Sequence, residues 1–386
     1  MGISDISNAA KTAFANVPFP HRKDEYWRFA DLHSWGVDGL LPFFASSQPP
    51  KGEPCDEVRK AADGISSCNI RLEDGVAALS GIPEGVEILS MTDAFERYPQ
   101  KLERFFTSAA GKLDIFQASR AADGVFVRVK SFAHAALSVA VVSRMHISAA
   151  GVYFLLEEGA SLALDKVSLV FGGSLASARF GFDLCANSKL VYSQHKYSEA
   201  AALMFEREDF YVGAGAEVVD AMAQEGLAPS RSERNFYIDG EHSQVDSRVF
   251  LKTRNAITAD LRTRQIHSVP SAKSNLAVKA ALYDSSSIAF TGLIDVCTAA
   301  QKTEAYQSCR SLLLSKEAKA QASPILEICA NDVMCSHGCT VAEPDMEELF
   351  YMRQRGLPLE TAKSIIVDSF AGTTFEKTRE KTREGA

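Results

Sequence analysis

The sequence has no apolar run approaching the roughly 20 residues that a membrane-spanning helix requires. The apolar stretch near 135–142 is too short and soon meets Arg144. The first residues are polar and lack the apolar segment of a secretory signal. Ile6 stands where a myristoylation motif opening on Met1-Gly2 wants Ser or Thr. A cytoplasmic location is therefore expected. Basic excess is absent too. The chain carries 41 Lys and Arg against 49 Asp and Glu, a net charge of −8, which argues against a surface built to neutralise nucleic-acid phosphates. The eight cysteines, at 55, 68, 185, 297, 309, 329, 335 and 339, form no Cys-x-x-Cys pair. Neither a zinc knuckle nor a thioredoxin-type site is written here, and the thiols are expected to stay reduced. No Gly-x-x-x-x-Gly-Lys-Ser/Thr loop occurs, so any ATP hydrolysis is expected on another chain.

What is present divides into three regions. Residues 1–120 read as largely helical. Ser4 or Asp5 can cap a helix carrying Ala9, Ala10, Ala13 and Phe14, and a second helical pattern after Thr92-Asp93 includes Phe95, Leu102, Phe105 and Phe106. A polar stretch with only short strand-like pieces, about 46–85, lies between them. Residues 121–343 alternate apolar and polar positions over short runs such as Val125-Phe126-Val127-Arg128-Val129 and Ala178-Arg179-Phe180-Gly181-Phe182, the signature of strands. Small-residue turns recur ahead of these runs. The steps from Ser161 to Lys189 to Glu217 are 28 residues each, and Asp260 to Ser287 is 27. That spacing suits the coils of a β-solenoid, with a β-sandwich as the alternative. Residues 344–386 offer two helices, one capped by Asp345 and ended by Gly356, the next opened by Pro358. They are expected to cap the solenoid and to offer a partner-docking face. The alternating charges at 376–384 read as a solvated tail or frayed helix.

The densest chemistry lies in Asp332-Val333-Met334-Cys335-Ser336-His337-Gly338-Cys339. In an extended chain, Cys335, His337 and Cys339 point to one face, about 7 Å apart. Thiolate and imidazole suit iron and iron–sulfur clusters. Neighbours that far apart cannot hold one ion alone, but they suit a cluster shared with another strand or subunit. The alternative is a buried edge of packed thiols. His195, His242 and His267 read as core or turn residues, Trp27 and Trp35 as packing anchors, and Asp114 and Glu327 as lone acids. A β-solenoid carbohydrate-active enzyme would need paired carboxylates on a groove, and none stands out.

The 324–356 block, including Leu349-Phe350-Tyr351-Met352-Arg353-Gln354-Arg355-Gly356, resembles the C-terminal signature of the SufD branch of the SufB/SufD family, which serves the SUF system of iron–sulfur cluster assembly. The segments at 22–32, 122–129, 267–279, 290–294 and 300–315 are similar to the same family in collinear order. The resemblance implies a right-handed parallel β-helix between N-terminal and C-terminal helical regions. It also implies a non-catalytic scaffold that pairs with a SufB-type paralogue and binds a SufC-type ATPase through its C-terminal helices. A transient cluster is then expected at the interface between the paralogues, with His337 as ligand and Cys335 and Cys339 as candidates. Three departures stand out: Cys339 replaces a frequent Ala, Met334 a common Lys, and Cys309 falls where SufB chains carry a proposed cluster cysteine. A homodimer ligating a cluster through Cys309 and His337 is the alternative this raises.

Overall fold

A computed structural model of the chain describes residues 2–40, 44, 61–62, 65–107 and 111–384. Residues 46–60 of the polar stretch, with Cys55, lie outside the described residues. The fold is mainly β, a solenoid of about eight coils with helices at both termini. Among the described residues no helix is long and apolar enough to cross a membrane.

The strands are β1 (Ile70–Glu73), β2 (Val76–Leu79), β3 (Val86–Ser90), β4 (Val125–Val129), β5 (His134–Ser143), β6 (Ile147–Leu156), β7 (Ser161–Val170), β8 (Leu175–Leu184), β9 (Lys189–Ser198) and β10 (Leu203–Val212). They continue as β11 (Glu217–Gly226), β12 (Ser230–Ile238), β13 (Gln244–Thr253), β14 (Thr258–His267), β15 (Lys273–Leu282), β16 (Ser287–Val296), β17 (Glu304–Leu313), β18 (Lys319–Ile328) and β19 (Met334–Ala342). From β4 onward, successive strands alternate between two sheets. One runs β19-β17-β15-β13-β11-β9-β7-β5-β1-β2 and the other β18-β16-β14-β12-β10-β8-β6-β4-β3. Pairing along the coils is parallel, and the antiparallel pairs β1–β2 and β3–β4 close the first coil. Residues 70–90 thus enter the sheets well before position 121.

Ser161, Lys189 and Glu217 do lie in register on neighbouring strands, as their 28-residue steps imply. Ser287, however, pairs with Thr258, a step of 287 − 258 = 29, and Asp260 pairs with Ala289. The sequence alignment slipped by two residues there. A two-residue slip keeps every side chain on its own face, so the division into inward and outward residues survives it.

Each coil turns through a residue in the left-handed region. Phe132, Gly159, Asn187, Gly215, His242, Ser271 and Lys302 all have φ between 57° and 64°. Only three of these are Gly or Asn, the residues that tolerate that conformation readily. The stack itself enforces it on others: the N–H groups of Phe132, Ser271 and Lys302 donate to the Glu158, Gln301 and Asp332 carbonyls of the next coil, at 2.5–3.0 Å. Elsewhere glycine is needed for closeness. A Cβ on Gly240 would lie 1.9 Å from the carbonyl carbon of Gly213 and 2.0 Å from the Ala214 nitrogen. Because both obstacles are backbone, Gly240→Ala is expected to cost more than about 3 kcal/mol. Thermal denaturation of the variant checks this; an unchanged midpoint would show that the turns can spread.

Inside the first coils the ladder is aromatic. Phe154, Phe182, Phe210 and Phe236 stack at centroid spacings of 5.1, 4.7 and 4.6 Å. Beside this column the lumen holds ions. Lys166, Lys196, Glu206, Glu208, Arg234 and Asp220 are all buried, and they are joined by pairs of 2.5–3.2 Å.

The N-terminal helices α1 (Ile3–Asn16), α2 (Val37–Leu40), α3 (Met91–Arg97), α4 (Pro99–Thr107) and α5 (Lys112–Ser119) cover the start of the solenoid. Trp27, Leu113 and Phe116 pack with Ile147, Leu175, Leu203 and Phe205. Trp27 is buried and Trp35 packs at the margin of the same cluster, so both are anchors.

The C-terminal helices are α6 (Met346–Gln354) and α7 (Leu359–Glu384). They do not cap the solenoid, contrary to expectation. Instead α7 crosses the outer face of one sheet, over β15, β13, β11 and β9. Val367, Ile366 and Phe370 pack against Phe250, Ala281, Tyr283, Leu312 and Leu314. Lys279 and Lys363 donate to the carbonyls of Phe370 and Leu314 at 2.7 and 3.1 Å. The apolar outer positions of β13, β15 and β17 supply this seat, which the end of the solenoid does not match. The charged stretch 376–384 continues α7 as helix.

Candidate functional site

With α7 laid along the flank, the last coil is left open. β18 and β19 are terminal strands of their sheets, each paired on one side only. Burial collapses between β17 and β19. Ala305, Gln307, Cys309 and Ser311 face the lumen and are buried, whereas their register partners Cys335, His337, Cys339 and Val341 are half-buried or exposed. These residues continue the inward-facing column. They are reachable because no further coil covers them.

The sequence expectation that Cys335, His337 and Cys339 share a face is met by this register. The column runs along β19 with its members roughly 7 Å apart. Across the mouth, β18 extends the lumen wall with Ala320, Ala322, Pro324 and Leu326, the partners of Ile288, Phe290, Gly292 and Ile294. Ile325, Ile328, Met334 and Val341 are exposed around this coil. The mouth therefore sets an apolar wall opposite a wall bearing two thiols and an imidazole.

Beneath His337 lies Gln307, whose amide donates to the Gly292 carbonyl at 3.2 Å while its Oε1 is buried without a protein partner. Gln307 was not singled out from the sequence, because only the coil register places it under the histidine. Cys309 sits under Cys339, not under His337. It is 2% exposed. Burial, with the neighbouring Cys339, pushes its thiol up to about 12, so it is protonated at neutral pH. Burial also raises the thiol of Cys335. Cys309 and His337 are offset by one strand and two residues, about 8 Å between backbones. Among the described residues, no three His, Cys, Asp or Glu side chains gather closely enough to hold a metal ion.

The remaining sequence candidates stand apart. His267 is buried, hydrogen-bonded from Nε2 to the Ser274 hydroxyl at 2.8 Å, and burial pulls its pKa down to about 4. His242 occupies an exposed left-handed turn, and the His195 ring stacks on Tyr197 at 6.4 Å. Asp114 is raised by burial and by Glu233, and Glu327 is exposed on β18. Cys297 and Cys329 are exposed one residue beyond the paired ends of β16 and β18.

Comparison with known proteins gives this arrangement its context. A family model described as "SUF system FeS cluster assembly, SufBD core domain" matches residues 139–370, more than half of the chain. The iron–sulfur cluster assembly protein SufD of Escherichia coli is 30% identical over 229 residues, covering 58% of this chain and 54% of that protein. The chloroplastic protein ABCI7 of Arabidopsis thaliana is 26% identical over 405 residues, covering 96% and 82%. SufD of Bacillus subtilis is 30% identical over 149 residues, covering 39% and 34%. The match thus spans about half the length of the Escherichia coli relative. The matched region takes in nearly the whole run of parallel coils, β19 with its Cys-Ser-His-Gly segment, and the packed part of α7. On these grounds the chain belongs to the SufB/SufD core-domain family of the SUF iron–sulfur cluster assembly system.

Proposed function

We propose that the chain is a non-catalytic scaffold subunit of the SUF machinery and works as one half of a cluster-building interface. The observation that carries this is the uncapped last coil. An edge strand with an unpaired backbone side is a template for another strand, and this one presents Cys335, His337 and Cys339 in a single column. A SufB-type paralogue docked there covers the exposed apolar rim and completes the ligand set. His337 and Cys335 then hold the nascent cluster, with Cys339 beside them. Cys309, protonated and covered by β19, joins only if that strand is displaced, which disfavours ligation by a homodimer through Cys309 and His337.

Residues 1–120 brace the solenoid, 121–343 carry the interface, and 344–386 dock a SufC-type ATPase in this reading. Met346, Phe350 and Tyr351 support the last assignment, since α6 leaves these large apolar side chains exposed. Such a face on a short helical hairpin suits a protein partner. ATP hydrolysis on that partner would drive rearrangement of the paired solenoids.

The test is co-expression with SufB-type and SufC-type proteins, followed by anaerobic reconstitution with iron and sulfide. The expected result is a ternary complex that develops cluster absorption well above that of the chain alone. Separate elution of the three proteins, or equal absorption by the isolated chain, would overturn the proposal.

A further inference from the structure

The coil register creates a second feature at the open end. Cys309 on β17 and Cys339 on β19 are direct partners in a parallel ladder, both on the lumen side. Paired residues on adjacent strands lie about 4.8 Å apart, inside the range of Cα separations that disulfides span. Cys339 stands close enough to the Cys309 thiol to help raise its pKa. Cys335 cannot compete for either thiol: it lies over Ala305, four residues and about 13 Å along the strand from Cys339.

We infer that Cys309 and Cys339 form an oxidisable dithiol that closes to an intramolecular disulfide when the open coil meets a peroxide. The asymmetry of the pair sets the order of events. Cys339 is exposed and Cys309 is covered, so the peroxide reaches Cys339 first. The Cys339 thiolate attacks a peroxide oxygen, the O–O bond breaks, and the departing hydroxide leaves as water, giving a sulfenic acid. The Cys309 sulfur then attacks the Cys339 sulfur. The S–S bond forms, the S–O bond breaks, and hydroxide leaves as a second water with the Cys309 proton. In sum, two thiols and one hydrogen peroxide give one disulfide and two waters. β19 can yield to the bond because its far side is unpaired. Closure fastens the edge strand to β17 and removes the Cys339 sulfur from the mouth.

The full chain, reduced and free of metal, is treated with stoichiometric hydrogen peroxide and analysed by intact mass and non-reducing peptide mapping. A Cys297→Ser/Cys329→Ser background excludes the other neighbouring pair. The expected result is a mass loss of about 2 Da, reversed by a dithiol reductant and absent in Cys339→Ser. A peptide joining 309 to 339 and slower amide exchange across 334–342 should accompany it. The inference is overturned by sulfinic acid at Cys339 with Cys309 still free, or by a Cys339-linked dimer of chains. Neither result bears on whether the chain pairs with a SufB-type subunit, which the reconstitution experiment decides separately.

Discussion

Replacing Glu208 with alanine is expected to destabilise the solenoid by about 3–5 kcal/mol, the cost of stranding buried cations after removing their partner. Glu208 accepts from Lys166 at 3.2 Å, from Arg234 at 2.7 Å, from Gln194 at 3.0 Å and from Tyr192 at 2.8 Å. Its loss leaves four donors with a vacated acceptor in a lumen that water does not readily replace. The predicted magnitude comes from leaving three buried cations to two carboxylates, since the intact cluster is balanced while Lys166 would keep only Glu206 and Arg234 only Asp220. Burial pushes the Glu208 carboxyl up, but Lys166, Arg234 and Lys196 together hold it well below its ordinary value of 4.5. Its contribution to stability is therefore complete above pH 4.5 and is lost as the pH falls toward the lower folded value. Glu208→Gln should flatten that acid limb while retaining most of the packing. Calorimetry of wild type and both variants between pH 3 and 7 checks the prediction (~3–7 being the span set by the two carboxyl states). A loss below about 1 kcal/mol for the alanine variant would show that the lumen admits water to the cluster.

His337→Ala should have the opposite profile, large in function and small in stability. The side chain is exposed on an edge strand, so its removal is expected to change folding stability by no more than about 0.5 kcal/mol. Cluster retained by the assembled complex should fall on the order of 10-fold or more, as for other losses around a metal centre. Ser336→Ala provides the control, because Ser336 pairs with Tyr306 on the outward face of the same strand. Iron and sulfide content after anaerobic reconstitution, with co-elution of the partners as a check on assembly, gives the readout. Wild-type iron and sulfide in the variant would remove His337 from the ligand set. A variant that no longer co-elutes would assign the residue to docking instead.

Much of the fold was legible because strand periodicity is a local property. Val125-Phe126-Val127-Arg128-Val129 needs no distant partner to declare its alternation, and the shared face of Cys335, His337 and Cys339 follows from that alternation alone. The route of α7 was not legible. An amphipathic helix states that it has an apolar face but not which surface receives it, and the seat formed by Phe250, Ala281 and Leu312 exists only once three coils are stacked. The lumen ions were equally hidden. Lys166 and Glu208 occupy inward positions where the pattern anticipates apolar side chains, and only their mutual proximity makes burial tolerable.

The site divides along the same line. The sequence by itself determined short strands at a spacing that suits a solenoid, a family resemblance, and a strand carrying two thiols and an imidazole on one side. Only the tertiary structure decided that this strand ends the solenoid, that its column stays uncovered, and that Cys309 lies against Cys339 instead of His337. The physical reason is register. Which residues meet across coils depends on the length and stacking of every intervening turn, and those lengths vary from coil to coil. The direction of each side chain within its own strand depends on the strand alone.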